Sequence, residues 1–218
     1  MKTTKLLICA VAFATAFAAV NAHGQNLSAT LTGIAPGLNV NGTWNNGSFT
    51  HDYPAGVMNY TNVVNLSNSA NLPDFSAFCV DPLQNAAYGE TLVYQVQNPL
   101  SLANSETIAR LVGGYLASSG SDQEAAAVQW AIWEVTTESL QSASLLDGNV
   151  RIVGPASQAT ALLANQYLAN VNSYTPVTLT YLTNSTRQDV VTWNAVPEPG
   201  SVGLAALSGL LLLRRRRR

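Results

Sequence analysis

The chain has 218 residues, of which 47% are hydrophobic and only 10% are charged, against roughly 25% charged residues in an average soluble domain. Seven of the ten basic residues lie at the two ends, so residues 23–196 hold three arginines, eleven carboxylates and no lysine, a net charge of −8. Such a body repels phosphate backbones and anionic membranes. The sequence therefore excludes a nucleic-acid binder and a highly charged disordered protein.

The first segment, residues 1–22, has the features of a secretory signal peptide. Two lysines precede an apolar run that ends at Val20. The residues that follow fit signal-peptidase cleavage between Ala22 and His23. A retained membrane helix is the alternative, but the apolar run is short for a span. We therefore predict one exported domain over residues 23–195, a length that suits a single core.

This domain has the pattern of a β-rich chain with a helical centre, which predicts an α+β fold. Turn residues punctuate the first third at Asn41-Gly42, at Asn46-Gly47 and over residues 53–56. Segments that combine β-branched or aromatic residues with partial alternation are predicted as strands: 30–34, 57–64, 75–80, 91–97, 177–183 and 188–193.

Three helices are predicted between these strands. The first covers residues 106–117 and is followed by Gly120 as a stop signal. The third covers residues 155–170 and begins with a proline at a first-turn position. The apolar face predicted for the first helix consists of Ile108, Leu111, Val112, Tyr115 and Leu116.

The middle helix begins with a capping box, in which the Ser121 side chain bonds the amide of Glu124 and Glu124 reaches back to Ser121. At 3.6 residues per turn, Gln129 falls inside its apolar stripe. The stripe is predicted to contain Ala125, Val128, Ile132 and Thr136. The opposite, solvated side is predicted to carry Gln123, Ala127, Glu134 and Glu138.

Cysteine usage narrows the chemistry. Cys9 leaves with the signal peptide, so Cys79 is the single cysteine of the mature sequence and no intramolecular disulfide can form. An exported lone thiol is either deeply buried or chemically occupied. Gln129 poses a related problem, because a buried amide without partners costs about 1 to 3 kcal/mol. Either Gln129 bonds the backbone of a neighbouring strand, or the Cys79 thiolate displaces ammonia from its side chain to form an internal thioester.

Two short motifs carry a resemblance. Phe78-Cys79-Val80-Asp81 and Val128-Gln129-Trp130-Ala131-Ile132-Trp133 are similar to the signatures of the thioester domains of bacterial surface adhesins and pilus tips. The resemblance covers residues from about 75 to 138. It implies a β-sandwich or barrel-like set of strands with a helical insertion, the cysteine on a strand and the glutamine on a helix.

The same resemblance implies a function. Cys79 and Gln129 would form a thioester that reacts with an amine or hydroxyl of a surface or matrix partner and releases a free thiol. The residues expected to surround the bond and exclude water are Phe78, Asp81, Trp130, Ala131, Ile132 and Trp133. The expected protein is thus a covalent adhesion or anchoring module rather than an enzyme, and it requires no cofactor and no metal.

The last 23 residues also resemble a known signal. They contain Val196-Pro197-Glu198-Pro199, an uncharged stretch over residues 200–213 and five arginines, the order found in the PEP-CTERM sorting signal of Gram-negative bacteria. The resemblance implies transient anchoring of this helix in the inner membrane, cleavage by an exosortase, and transfer to the cell surface or the extracellular polysaccharide matrix. A permanent tail anchor that faces the periplasm is the alternative.

Two other functions stay open. The first is a passive structural protein of the exopolysaccharide matrix, in which Cys79 and Gln129 merely pack. The second is a cysteine-dependent hydrolase, for which the mature chain offers only His23 and His51 as bases, neither in a recognisable motif. Asp74 and Asp81 flank the cysteine, but two carboxylates without further oxygen ligands are too few to indicate a calcium site.

Overall fold

The computed structural model describes residues 25–44, 49–138, 140 and 143–194. Several predictions lie outside the described residues: the signal peptide with its cleavage site at Ala22 and His23, the Asn46-Gly47 turn, and the sorting segment over residues 196–218. Among the described residues, no helix is both long and apolar enough to cross a membrane.

The described residues contain eight strands joined by antiparallel ladders. β1 also pairs with β2, so that the order β2-β4-β8-β7-β5-β1 returns to its start, while β3 lies beside β2 and β6 beside β1. The predicted α+β class with barrel-like strands is confirmed. The strands are β1 Asn26–Trp44, β2 Phe49–Asn65, β3 Ala70–Asn71, β4 Phe75–Cys79, β5 Thr91–Gln97, β6 Arg151–Ile152, β7 Thr180–Thr183 and β8 Val190–Thr192.

Three α-helices accompany the sheet in the described part of the chain: α1 Ser105–Leu116, α2 Asp122–Thr137 and α3 Gln158–Ala169. The predicted face of α1 is buried except at Leu116, which is exposed. The third helix starts later than predicted because Pro155–Ser157 form a 3-10 turn before it. The capping box of Ser121 and Glu124 is present, and the Ser121 N–H donates to Glu124 Oε2 at 2.9 Å.

Two predicted turns are wrong. Residues 41–42 and 53–56 lie within β1 and β2, whose ladder pairs Gly42 with His51. Gly42 serves close packing instead, since a Cβ atom there would lie 1.9 Å from the ring of Trp130. Gly56 similarly faces a bulge of β1, where a Cβ atom would lie 2.3 Å from the Pro36 carbonyl oxygen. At both positions, glycine is required because a neighbouring group approaches closely, and not because the chain turns.

The predicted solvated side of α2 is also wrong. The helix packs against β1, β2 and β4 and against the other two helices, and Ala127 and Glu134 are fully buried. Glu138 is half-buried, and its carboxylate accepts backbone N–H groups of Asn149 and Val150. The sequence pattern missed this because α1 and α3 form a second layer that covers the outward face of α2, which makes it a core helix.

Candidate functional site

The site begins where the ladder between β2 and β4 stops. β4 pairs with β8 as far as Cys79, which lies opposite Val190. On its other edge, the last pair with β2 is Met58 with Ala77. The same register would place Gly56 opposite Cys79, but no pairing forms there. Because alternate residues of an antiparallel strand bond to each side, the N–H and C=O of Cys79 need partners from another element.

Gln129 of α2 supplies both partners. The Cys79 N–H donates to Gln129 Oε1 at 2.9 Å, and Gln129 Nε2 donates to the Cys79 carbonyl oxygen at 2.8 Å. Gln129 is only 1% exposed, so the prediction that it points into the core is confirmed. Its amide makes the two hydrogen bonds that a paired residue of β2 would otherwise make, although Gln129 lies 50 positions after Cys79.

The Cys79 thiol is free and buried. Its Sγ donates to the Asp81 carbonyl oxygen at 3.3 Å. Burial raises the pKa of Cys79 to about 12, and the nearby carboxylates of Asp81 and Asp189 act in the same direction. The indole N–H of Trp133 and the backbone of Asp81 lower this pKa and so partly offset the effect of burial. The thiol therefore stays protonated at neutral pH.

The helix residues that follow Gln129 are fully or almost fully buried: Trp130, Ala131, Ile132 and Trp133. The two indoles belong to a larger aromatic cluster with Trp44 and Tyr53. Trp44 stacks on Trp130 with ring centroids 5.3 Å apart, and Trp133 meets Trp44 edge-on at 5.3 Å. This aromatic cluster covers the inner side of the site with apolar surface.

Trp44 and Gly42 were missed at the sequence level although both support the site. The available signal was the alternation of Val40, Gly42 and Trp44, which is typical of a strand. The Asn41-Gly42 pair outweighed this strand pattern because it favours a turn.

The predicted neighbours on β4 differ in position. Phe78 points to the other face of the strand, as alternation requires, and packs against Tyr115 and Trp193 at centroid distances of 5.3 and 5.4 Å. The structure therefore does not bring Phe78 to the thiol. Asp81 is half-buried, and its side chain accepts the N–H of Leu83 at 3.2 Å.

A cleft of about 480 Å³ opens beside the site, between the end of β4 and the end of α2. Val80 and Asp81, which directly follow Cys79 in the chain, form part of its wall, whereas Cys79 and Gln129 are buried behind it and do not line it. The lining residues are Trp44, Val80, Asp81, Pro82, Leu83, Thr136, Thr137 and Asn149.

The rival chemistries gain little from the structure. His51 is exposed on β2 and meets the ring of Tyr53 edge-on at 6.1 Å, and it does not act on the thiol pKa. Asp74 is exposed. Across the described ranges, no three His, Cys, Asp or Glu side chains converge on a point that could hold a metal ion.

Comparison of the chain with family models, with curated proteins and with solved structures gives no match.

Proposed function

We propose that Cys79 and Gln129 condense into an internal thioester, and that the exported domain uses this bond to attach itself covalently to a surface or matrix partner. The observation that carries the proposal is the reciprocal pair of hydrogen bonds between the Gln129 amide and the Cys79 backbone. These bonds hold the side-chain carbonyl carbon of Gln129 beside the residue that bears the thiol. Fixed proximity of this kind replaces a bimolecular encounter.

The chemistry balances without an external reagent. Cys79 Sγ attacks Gln129 Cδ, the thiol proton passes to Nε2, and ammonia leaves with the cleaved C–N bond. Negative charge collects on Oε1 in the tetrahedral intermediate, and this oxygen already accepts the Cys79 N–H at 2.9 Å. A fixed donor at such an oxygen is a principal means of lowering an acyl-transfer barrier.

The product is an acyl donor for one reaction. An amine or a hydroxyl of the partner attacks the same carbon, forms an amide or ester with Gln129 and returns the thiol to Cys79. Because the bond is consumed once, the protein acts as an anchoring module and not as an enzyme. The aromatic cluster keeps bulk water from the bond in the meantime.

The surroundings favour a partner amine, which approaches as an ammonium cation and attacks after it has lost a proton to solvent. The cleft wall contains Asp81, and residues 23–196 carry a net charge of −8. Both attract a cation by long-range electrostatics. Because residues 23–196 contain no lysine, this part of the chain offers the thioester no side-chain amine of its own.

A passive matrix protein is the second candidate, and two observations favour it. The Gln129 amide is already satisfied by the Cys79 backbone, so burial alone does not require a covalent bond. The thiol pKa of about 12 also leaves little thiolate to attack. In this case the pair would only join α2 to β4.

Treatment with methylamine separates the two candidates. For the thioester, we expect one methylamine to be incorporated at Gln129, located by peptide mass spectrometry, and a Cys79 thiol that can be alkylated only afterwards. The Cys79→Ala variant should incorporate none. Equal labelling of both proteins, or none in either, contradicts the thioester. Ester turnover that depends on both Cys79 and His51 would instead support the distant alternative of a hydrolase.

For the two ends of the chain we propose export by the signal peptide, transient inner-membrane anchoring and exosortase cleavage near residues 196–199, followed by release to the surface or matrix. The order of the terminal motifs supports this route. In a Gram-negative host that has an exosortase, deletion of residues 196–199 should leave the protein in the inner-membrane fraction. Unchanged delivery to the surface would contradict the sorting role.

A further inference from the structure

The aromatic cluster contains an unusual set of donors. Within the described residues, the indole N–H groups of Trp44, Trp130 and Trp133 are all buried without a hydrogen-bond partner, and these residues are 2%, 0% and 3% exposed. An unpartnered buried donor is unfavourable, and each one requires an explanation. Three in one cluster raise the question of whether any of them serves the chemistry of the neighbouring cysteine.

The three indoles differ in what they face. The Trp44 N–H lies towards the Tyr53 hydroxyl, where it partly offsets the rise in the Tyr53 pKa that burial causes. The six-membered ring of Trp130 lies over Gly42. The Trp130 N–H contributes to none of the pKa shifts found among the described residues. Trp133 lies one helical turn after Gln129, and its N–H lowers the pKa of the Cys79 thiol. Trp133 is therefore the indole donor at the site.

The proposed reaction needs a donor at this sulfur. When an amine attacks Gln129 Cδ and the C–S bond breaks, the bonding electron pair stays on Cys79 Sγ, and the proton lost by the amine nitrogen reaches the sulfur afterwards. A thiolate in a dry core is costly. The Asp81 backbone also favours the thiolate, whereas the carboxylates of Asp81 and Asp189 oppose a negative sulfur. Trp133 is therefore the side chain near the sulfur that favours its negative charge.

We propose that Trp133 is a catalytic residue of thioester opening, in which its indole N–H donates to the Cys79 sulfur as negative charge collects there. The inference rests on the proposed function. The unpartnered N–H of the resting protein is then a donor held ready for the leaving group. By microscopic reversibility, the same bond assists thioester formation, in which the thiol must give up its proton.

The test compares two matched substitutions in the full-length chain. Trp133→Phe removes the indole N–H at the site, and Trp193→Phe removes an indole on the other face of β4, where it packs against Phe78 and Tyr115. The opening of the thioester by methylamine is followed by intact mass spectrometry. We expect Trp133→Phe to slow opening at least about tenfold and Trp193→Phe to leave the opening rate unchanged, although both lower the unfolding midpoint.

The outcomes separate the two proposals. If the wild-type protein lacks the ammonia deficit, the proposed function fails. If the deficit is present but both variants open at the same rate, the role of Trp133 is overturned and the proposed function stands. If Trp133→Phe does not fold, benzothienylalanine at position 133, which keeps the shape of tryptophan and lacks only the N–H, replaces it. Wild-type opening in that protein overturns the inference, and slow opening supports it.

Discussion

Gln129 and Glu134 are two buried polar residues of α2, five positions apart, and the fold treats them differently. Both amide atoms of Gln129 have partners on Cys79, at 2.9 and 2.8 Å. Glu134 is fully buried, but only its Oε1 has a partner, the Ser144 N–H at 2.8 Å, and Oε2 has none. Burial raises the pKa of Glu134 to about 7.

The difference shows two uses of a buried polar group. A fully bonded amide stays neutral and fixed, so it can hold a carbonyl carbon in place for an acyl transfer. A carboxylate with one bare oxygen is held less completely, and its charge depends on pH near neutrality. The Gln129 half of α2 is therefore suited to chemistry, whereas Glu134 and Glu138 tie the segment over residues 144–150 to the helix.

The largest expected effect comes from Gln129→Leu. This change leaves the buried N–H and C=O of Cys79 without partners and should lower the free energy of unfolding by about 4 kcal/mol. Urea unfolding followed by tryptophan fluorescence measures it. Gln123→Leu, a change at a half-buried glutamine in the first turn of the same helix, should cost less than about 1 kcal/mol. Equal losses would mean that the pairing with Cys79 contributes nothing.

Gly42→Ala changes the β1 residue that packs against the Gln129 half of α2. The new methyl group would meet the Trp130 ring at 1.9 Å, which should destabilise the fold by about 3 kcal/mol through forced repacking. Gly33→Ala on the same strand is the control, because a Cβ atom there meets nothing within 4 Å. Thermal unfolding of both variants checks the prediction, and a Gly42→Ala protein as stable as Gly33→Ala would refute the packing role.

Glu134→Gln should act only through pH. The pKa of Glu134 is about 7 in the folded protein, against an ordinary value of 4.5. At a pH between these two values, the folded protein therefore keeps the Glu134 proton and the unfolded chain has lost it. Wild-type stability should therefore fall as pH rises from 4.5 to 7, by about 3 kcal/mol from this group. Urea unfolding at pH 4.5 and pH 8 should show a smaller fall in Glu134→Gln. Glu106→Gln, a change at an exposed glutamate, is the control and should show the same fall in stability between pH 4.5 and pH 8 as the wild type. A wild-type fall in Glu134→Gln would contradict the account.

The smallest expected effect is that of Ser121→Ala, which removes the capping box at the start of α2. It should cost about 1 kcal/mol and should leave both the pH dependence and the reaction with methylamine unchanged. Thermal unfolding, together with the methylamine assay, tests this. A change in methylamine reactivity would mean that the two halves of α2 are coupled more strongly than their separate partners indicate.

Local patterns were sufficient for part of this account. Helical periodicity placed Gln129 towards the core, and the Ser121 capping box fixed the start of α2, because both depend on neighbours along the chain. The two motifs also select Cys79 and Gln129 as a pair, although they lie 50 positions apart.

Long-range packing decided the rest. Gly42 lies in a strand because β1 pairs there with β2 and β6, and the Trp130 ring above it leaves room only for a glycine. The helix α2 is a core helix because α1 and α3 cover it. Glu134 is buried for the same reason, against the expectation from its charge. The gap in the β2–β4 ladder that Gln129 fills follows from strand register. Contacts between residues distant in sequence leave little local signal.

The most direct test of the central proposal is the intact mass of the untreated protein beside its Cys79→Ala variant, both prepared in the same way so that any processing of the ends is shared. The thioester predicts that the wild-type mass is lower than its sequence requires by one molecule of ammonia, and that the variant shows no deficit. A wild-type mass with no deficit, and a Cys79 thiol that can be alkylated after unfolding without prior amine treatment, would contradict the proposal.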